Sequence, residues 1–382
     1  MLKETVDFIR KAYNTPEAFI PLHEPRFTGN EKKYLNECID STFVSSVGKF
    51  VNQFEDDVKL YTGAKYAIAT SNGTAALHVA LLLAGVKRND LVITQPLTFI
   101  ATCNAIAYIG AEPLFVDVDK NTLGLSADKL YDFLKNNTLL DYKGERVHYD
   151  SHKKIAACVP MHTFGFPAEI DKIVAICNEF GIPVVEDAAE SIGSFYQDKH
   201  TGTFGLLGTF SFNGNKTITC GGGGAVLTDN DELGVLAKHL TTQAKIPHPW
   251  DFKHDHIGYN YRMPNINAAL ACAQLENLES YIENKRELGK LYADFFAATP
   301  YHFLSEPPHS RSNAWLHSIL LSDREERDAF LEYTNKNGVM TRPSWTLMNK
   351  LEMFKHCLTA DLENAQFIED RLVNIPSSVR IK

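Results

Sequence analysis

The sequence lacks every short cysteine pattern that could organise a fold around a metal or a disulfide framework. Its seven cysteines, at 38, 103, 158, 177, 220, 272 and 357, are odd in number, contain no CxxC pair and follow no regular spacing. They read as reduced thiols of a cytoplasmic protein, and no metal site is expected. Basic charge is also in deficit: 38 Lys and Arg stand against 47 Asp and Glu, leaving a net charge of −9. That balance, spread along the chain, argues against a general nucleic-acid surface. Two uncharged stretches, 66–86 and 91–111, approach the length of a membrane span, but Ser, Asn, Gly, Thr, Gln or Pro interrupts each, so strand, turn and buried helix describe them better than a membrane segment. The opening MLKETVDFIRKAY alternates charged and apolar residues, as an amphipathic helix does and a signal peptide does not.

What is present is a soluble, globular composition, 44% hydrophobic and 22% charged over 382 residues, long enough for two domains. Helices are expected over 28–42, with Thr28 as N-cap and Glu31 at capping-box spacing, and over the segment following 45–49, where Phe50, Val51, Phe54, Val58 and Tyr61 recur at helical spacing. Strands at 66–70, 91–94, 113–116, 155–160, 183–185 and 225–227 then alternate with helices at 75–84, 99–109, 126–134, 170–180 and 229–240. Apolar strands alternating with helices imply a mostly parallel sheet covered on both faces, an α/β fold whose ligands bind at the carboxyl ends of the strands. The helical pattern of 265–296 and the mixed pattern after 311 read as a smaller α+β unit. The expected division is a large domain over 1–245, including the N-terminal helix, and a small domain over 246–382.

Residues 204–228, FGLLGTFSFNGNKTITCGGGGAVLT, hold the candidate nucleophile. The run 209–212 reads as a strand and delivers Lys216 into a loop closed by four glycines, 221–224. An amine attacks a carbonyl only when deprotonated, and desolvation beside cationic or dipolar groups favours that form. GNKT is equally an ordinary polar turn. It is not a phosphate loop, because Asn215 separates Gly214 from Lys216 and the GxxxxGK[ST] pattern fails.

Strand ends supply further candidates. Ser71-Asn72-Gly73-Thr74 joins a strand to a helix, which offers free amides and a positive dipole end to a phosphate, or serves only as an N-cap. Glu186 and Asp187 end one strand, with Glu190 three residues on; an acidic group among apolar neighbours needs a positive partner. Phe99 could stack on a flat ring or fill the core. The segment 245–263 is rich in His, Pro and aromatics and aperiodic, which suits a binding loop; its His254 and His256 form an HxH pair without a matching carboxylate or cysteine pattern.

The motifs SNGTAAL (71–77), PLTFIATCNAI (96–106), FVDVD (115–119), PMHTFG (160–165), VVEDAAES (184–191), FSFNGNKTITCGGGG (210–224) and GYNYRMPNINAALACAQL (258–275) resemble the DegT/DnrJ/EryC1/StrS family across nearly the whole chain. The resemblance implies a fold-type I, aspartate aminotransferase-like enzyme that uses pyridoxal 5′-phosphate to aminate nucleotide-linked keto sugars. NGNK, ITCGGGG and AKIPHPWDF look most similar to the members that aminate C4 of UDP-4-keto-6-deoxy-N-acetylglucosamine. Those members serve bacillosamine and legionaminic acid synthesis for bacterial surface glycans, with glutamate as the expected donor.

The same resemblance implies roles at matching positions. Lys216 would form the Schiff base and carry protons, and Asp187 would pair with the pyridinium nitrogen. Gly73, Thr74 and Ser211 would bind the phosphate, and Phe99 would stack on the ring. Asn260 would reach the phosphate of a neighbouring subunit, making a homodimer with shared sites. Glu190 stands where relatives often have Gln or His near the ring's phenolic oxygen, and Phe204-Gly205-Leu206-Leu207 replaces a common Phe-Gly-Asp. His162, Trp250, Arg311, Arg342 and Trp345 lie in segments expected to border the sugar nucleotide. The alternatives are a 3-keto-sugar aminotransferase, a sugar dehydratase, against which the lysine speaks, and a non-catalytic regulator of the same fold, which would have lost the Lys216 and Asp187 pair.

Overall fold

The computed structural model describes residues 1–380. Its central sheet consists of a three-stranded ladder, in the order Glu112–Phe115, Leu91–Thr94, Ile155–Val159, and a four-stranded one, in the order Val185–Asp187, Leu207–Ser211, Gly224–Thr228, Tyr66–Thr70. Parallel bridges between Cys158 and Val184 and between Met161 and Asp187 join the two. Gly224–Thr228 runs antiparallel to both its neighbours, while the other ladder contacts are parallel, as the sequence predicts for a mostly parallel sheet. That strand reverses because a loop of 212–223 returns the chain beside the strand it has just left.

Alternate residues of each strand face opposite layers. Ile68, Val92, Val226 and Val185 pack with Leu77, Leu81 and Ile106, whereas Ala67, Ala69, Ala225 and Leu227 pack with Phe50, Phe54 and Val58. Leu91, Ile93 and Cys158 meet Leu130, Leu134, Ile170 and Ile173. Helices thus cover both faces, and burying each large apolar side chain contributes about 1.5–3 kcal/mol.

Beyond it, His302–Phe303, His317–Leu320, Leu372–Ile375 and Arg342–Pro343 form a second, antiparallel sheet. Helix Leu278–Phe296, helix Arg324–Lys336 and the N-terminal helix Leu2–Ala12 pack on it through Tyr292, Phe296, Phe330, Val6 and Ile9. The sequence reading grouped the N-terminal helix with 1–245; its apolar stripe is buried against C-terminal residues instead.

Two of the differences from expectation have a local cause. The helix expected from Thr28 begins at Glu31, with Asn30 as N-cap, because the Glu31 carboxylate turns back to accept from Gly29 N at 2.8 Å. The helical pattern of 265–296 is two helices, Asn265–Leu275 and Leu278–Phe296, parted where Asn277 turns its side-chain amide onto Ala273 O at 3.1 Å. Short pairings such as Thr138–Leu140 with Arg146–His148 carry no sequence period long enough to read. Among the described residues no helix is long and apolar enough to cross a membrane.

Candidate active site

Strand ends converge on one cavity of about 290 Å³, lined by Gly73, Thr74, Phe99, Asp187, Glu190, Ser211, Lys216, Trp315 and Trp345 among others. Strand Tyr66–Thr70 turns into helix Gly73–Leu83, whose N-cap Asn72 accepts from Ala75 N at 2.8 Å. Gly73 and Thr74 open that helix and line the cavity, so their amides, which precede the first helical hydrogen bonds, lie at the positive end of the helix dipole. A Cβ added at Gly73 would stand 2.7 Å from Ser211 Cβ. Close approach of helix and strand therefore requires glycine here, and it brings the Ser211 hydroxyl beside the helix start.

Asp187 is 2% exposed. Its Oδ2 accepts from Thr102 Oγ1 at 2.6 Å and its Oδ1 from Ala189 N at 3.2 Å. Burial pushes its carboxyl above the ordinary range, opposed by these two hydrogen bonds and by the charge of Lys216. A buried acid of this kind calls for a cationic partner inside the cavity.

Lys216 follows strand Leu207–Ser211 in a loop pinned by Phe212 N to Gly223 O at 2.8 Å and Cys220 N to Phe212 O at 3.1 Å. The sequence argument invoked cationic or dipolar neighbours; the structure sets a carboxylate and an aromatic face around the amine instead. Nζ lies 3.0 Å from Glu190 Oε1 and 4.3 Å from the centroid of the Trp315 ring. Glu190 Oε2 accepts from Phe164 N at 2.9 Å. Phe164 holds a left-handed conformation, φ 56, a strain of the kind that collects at functional sites. Burial raises the Glu190 carboxyl, and Lys216 counteracts it. The Glu190 carboxylate is thus paired with the lysine amine inside the cavity.

Eight sequence-derived candidates share this cavity: Gly73, Thr74, Phe99, Asp187, Glu190, Ser211, Lys216 and Trp345. Five do not line it. His162 is fully buried, its Nδ1 accepting from Ala168 N at 3.1 Å and its Nε2 bonded to Glu186 Oε2 at 2.9 Å. Glu186 points to the opposite side from Asp187, as successive strand residues must, and also accepts from Gly202, Phe204 and Gly205 amides. This node anchors the Phe204-Gly205 stretch. Arg311 pairs with Glu279 at 2.5 Å, Arg342 bonds Asn335 Oδ1 at 3.0 Å, and Trp250 is 80% exposed. Asn260 is exposed, its Oδ1 accepting from Arg262 at 3.3 Å.

Sequence reasoning missed Thr102 and Trp315. A threonine inside an apolar helix carries no motif, although its β-branched hydroxyl is the partner of Asp187. Trp315 is separated by about a hundred residues from Lys216, yet its Nε1 donates to Asn215 O at 2.7 Å. The cavity's chemistry fits pyridoxal phosphate: an amine for its carbonyl, a buried acid for its ring nitrogen, amides and a hydroxyl for its phosphate, and an aromatic wall for its ring.

A sequence model of the DegT/DnrJ/EryC1/StrS aminotransferase family matches residues 25–382. The GDP-perosamine synthase of Escherichia coli O157:H7 is 38% identical over 350 residues, 90% of this chain and 91% of the relative. That of Vibrio cholerae is 35% identical, covering 88% of each chain. Among solved structures, a DegT DnrJ EryC1 StrS aminotransferase from Brucella abortus is 26% identical with a TM-score of 0.82, over 91% of this chain and 90% of that one.

Proposed function

The chain belongs to the DegT/DnrJ/EryC1/StrS aminotransferase family and is a pyridoxal phosphate-dependent sugar aminotransferase, and from that premise we propose that it carries the amino group of L-glutamate to C4 of UDP-4-keto-6-deoxy-N-acetylglucosamine, for surface-glycan synthesis. The observation that carries the transamination is Lys216 and Asp187 lining one cavity with the capped start of helix Gly73–Leu83; the choice of sugar rests on the wording of NGNK, ITCGGGG and AKIPHPWDF.

When bound, pyridoxal phosphate supplies a carbonyl for the exchange of amines and a conjugated ring that accepts electrons from a substrate carbon. The Gly73 and Thr74 amides and the Ser211 hydroxyl bind its phosphate. Asp187 holds a proton at the ring nitrogen, and Thr102 fixes the carboxylate that does so. Lys216 Nζ takes up the proton leaving the donor's α-carbon and, in the second half-reaction, delivers one to the sugar carbon that gains nitrogen. Glu190 balances the charge whenever that amine is protonated. Phe99 and Trp345, with ring centroids 6.1 Å apart, line the cavity and offer an aromatic face to the cofactor ring. Asn260, which is outside its own chain's cavity, completes the phosphate site of a second subunit. Exposed Phe43, Val44, Val47 and Ile257 support such a pairing.

A GDP-linked keto sugar is the second reading, favoured by relatives named GDP-perosamine synthase. The test supplies glutamate with the UDP-linked or the GDP-linked 4-keto-6-deoxy sugar and measures 2-oxoglutarate and the amino-sugar product, with the position of the new amine read by NMR. Preferential turnover of the UDP sugar with nitrogen at C4 is expected. Preference for the GDP sugar replaces the nucleotide assignment, nitrogen at C3 replaces the carbon, and no 2-oxoglutarate removes glutamate.

A further inference from the structure

The histidines around residues 239–256 play no part in the cavity just described. The HxH pair, His254 and His256, lacks a third ligand in the sequence; folding brings one from another element. His239, in the last turn of helix Asp231–Thr241, turns Nε2 onto Asp255 Oδ1 at 2.6 Å, and His256 turns Nδ1 onto the same oxygen at 2.9 Å. The two rings stand nearly perpendicular, 5.6 Å between centroids. All three donor atoms lie within 4.8 Å of one another.

We propose that His239, Asp255 and His256 bind a divalent transition metal of the zinc class, which clasps the 245–258 loop to the end of helix Asp231–Thr241.

Two imidazole nitrogens and one carboxylate oxygen are the donor set that zinc and its neighbours take, whereas magnesium and calcium prefer all-oxygen shells. With metal–ligand distances of about 2.0–2.1 Å, tetrahedral donors sit about 3.4 Å apart. The two N···O separations of 2.6 and 2.9 Å therefore need only a small opening, in which the ion replaces the two hydrogen bonds to Asp255, and the two histidine nitrogens already lie within 4.8 Å. Among the described residues no lysine or arginine pairs with Asp255: Lys238 pairs with Glu55 and Lys253 with Asp251. The side chains of His239, Asp255 and His256 are 23%, 43% and 53% exposed, so an ion can enter and water can fill a fourth position. All seven cysteines are buried and offer no competing surface ligand. The segment is already held close: Gln243 and Ala244 both adopt left-handed conformations, φ 68 and 51, and His254 Nδ1 bonds Gln243 O at 2.8 Å. His254 is thereby occupied elsewhere, so the motif visible in the sequence supplies one of its two histidines, together with the aspartate between them.

The test titrates Zn²⁺ into the holoenzyme, freed of excess cofactor, by calorimetry, and follows hydrogen exchange of residues 245–258. One Zn²⁺ per chain is expected, with affinity falling about tenfold or more in His239→Ala, Asp255→Asn and His256→Ala and unchanged in His254→Ala. Zn²⁺ should slow exchange in the loop of the native protein and not of Asp255→Asn. Absence of binding, binding unaltered in all three ligand variants, or binding that leaves loop exchange unchanged would each overturn the proposal.

Discussion

Lys216 Nζ and Glu190 Oε1 stand 3.0 Å apart inside a cavity where the carboxylate is almost fully buried. The amine that the proposed reaction needs is thus held by an acid at a position where the resemblance leads one to expect Gln or His. Replacing Lys216 by Ala removes both the amine and the partner of Glu190. Turnover should fall by at least about 10³-fold, and the visible absorption band of lysine-bound cofactor should vanish. Full activity in Lys216→Ala would remove the central assignment.

Asp187 makes a pH prediction of definite sign. Its folded-state pKa is raised by burial, so its contribution to stability is fully present in acid and is lost as pH rises through the folded value. In cofactor-free protein, the stability difference between wild type and Asp187→Asn should therefore shrink or reverse in favour of the variant as pH goes from about 4 to 8. Urea denaturation at several pH values measures it; a difference that grows with pH would contradict the burial argument.

Thr102→Val removes the hydroxyl that donates to Asp187 Oδ2 while keeping the side chain's shape. Losing a hydrogen bond to a charged group costs about 1.5–3 kcal/mol, so kcat should fall roughly tenfold or more. Steady-state kinetics beside a thermal melt check it: an unchanged rate with lowered stability would leave Thr102 a packing residue.

Gly73→Ala places a methyl 2.7 Å from Ser211 Cβ. Relief of that contact must move the helix start or the lysine strand, at about 1–3 kcal/mol, and weaken cofactor retention. Equilibrium dialysis against pyridoxal phosphate gives the answer, and native affinity would exclude this helix start from the phosphate site.

Mixing Lys216→Ala with Asn260→Ala subunits tests whether sites are shared. If Asn260 serves a neighbour, each hybrid dimer contains one site with both native residues, so activity should exceed that of either variant alone. No recovery after demonstrated subunit exchange, with Asn260→Ala itself strongly impaired, would confine each site to one chain.

The large sheet and its helices were legible because their residues obey simple periods. Alternation put Ile68 and Val92 on one face and Ala67 and Leu91 on others, and the helix after Gly48 buries Phe50, Val51, Phe54 and Val58 as expected, with Tyr61 half-buried. Within the site, strand ends exposed Asp187 and Lys216 as candidates. What could not be read depends on long-range closure. His162 sits in a motif that suggested a ligand contact, yet Glu186 was waiting on the neighbouring strand. Arg311 found Glu279, 32 residues away, and nothing local announced it; Arg342 turned to Asn335, seven residues before it, rather than to the cavity.

Trp315 belongs to the stretch leading into strand His317–Leu320 of the C-terminal sheet, and its indole donates to the carbonyl just before Lys216. Two residues earlier, Asn313 Nδ2 donates to Glu190 O, Ile192 O and Thr217 Oγ1. One short strut from the far half of the chain thus braces both members of the amine and carboxylate pair. Any hinge motion of the C-terminal sheet must either carry the lysine along as cargo or snap these bonds, so the reactivity of the amine becomes a gauge of how the two halves are set.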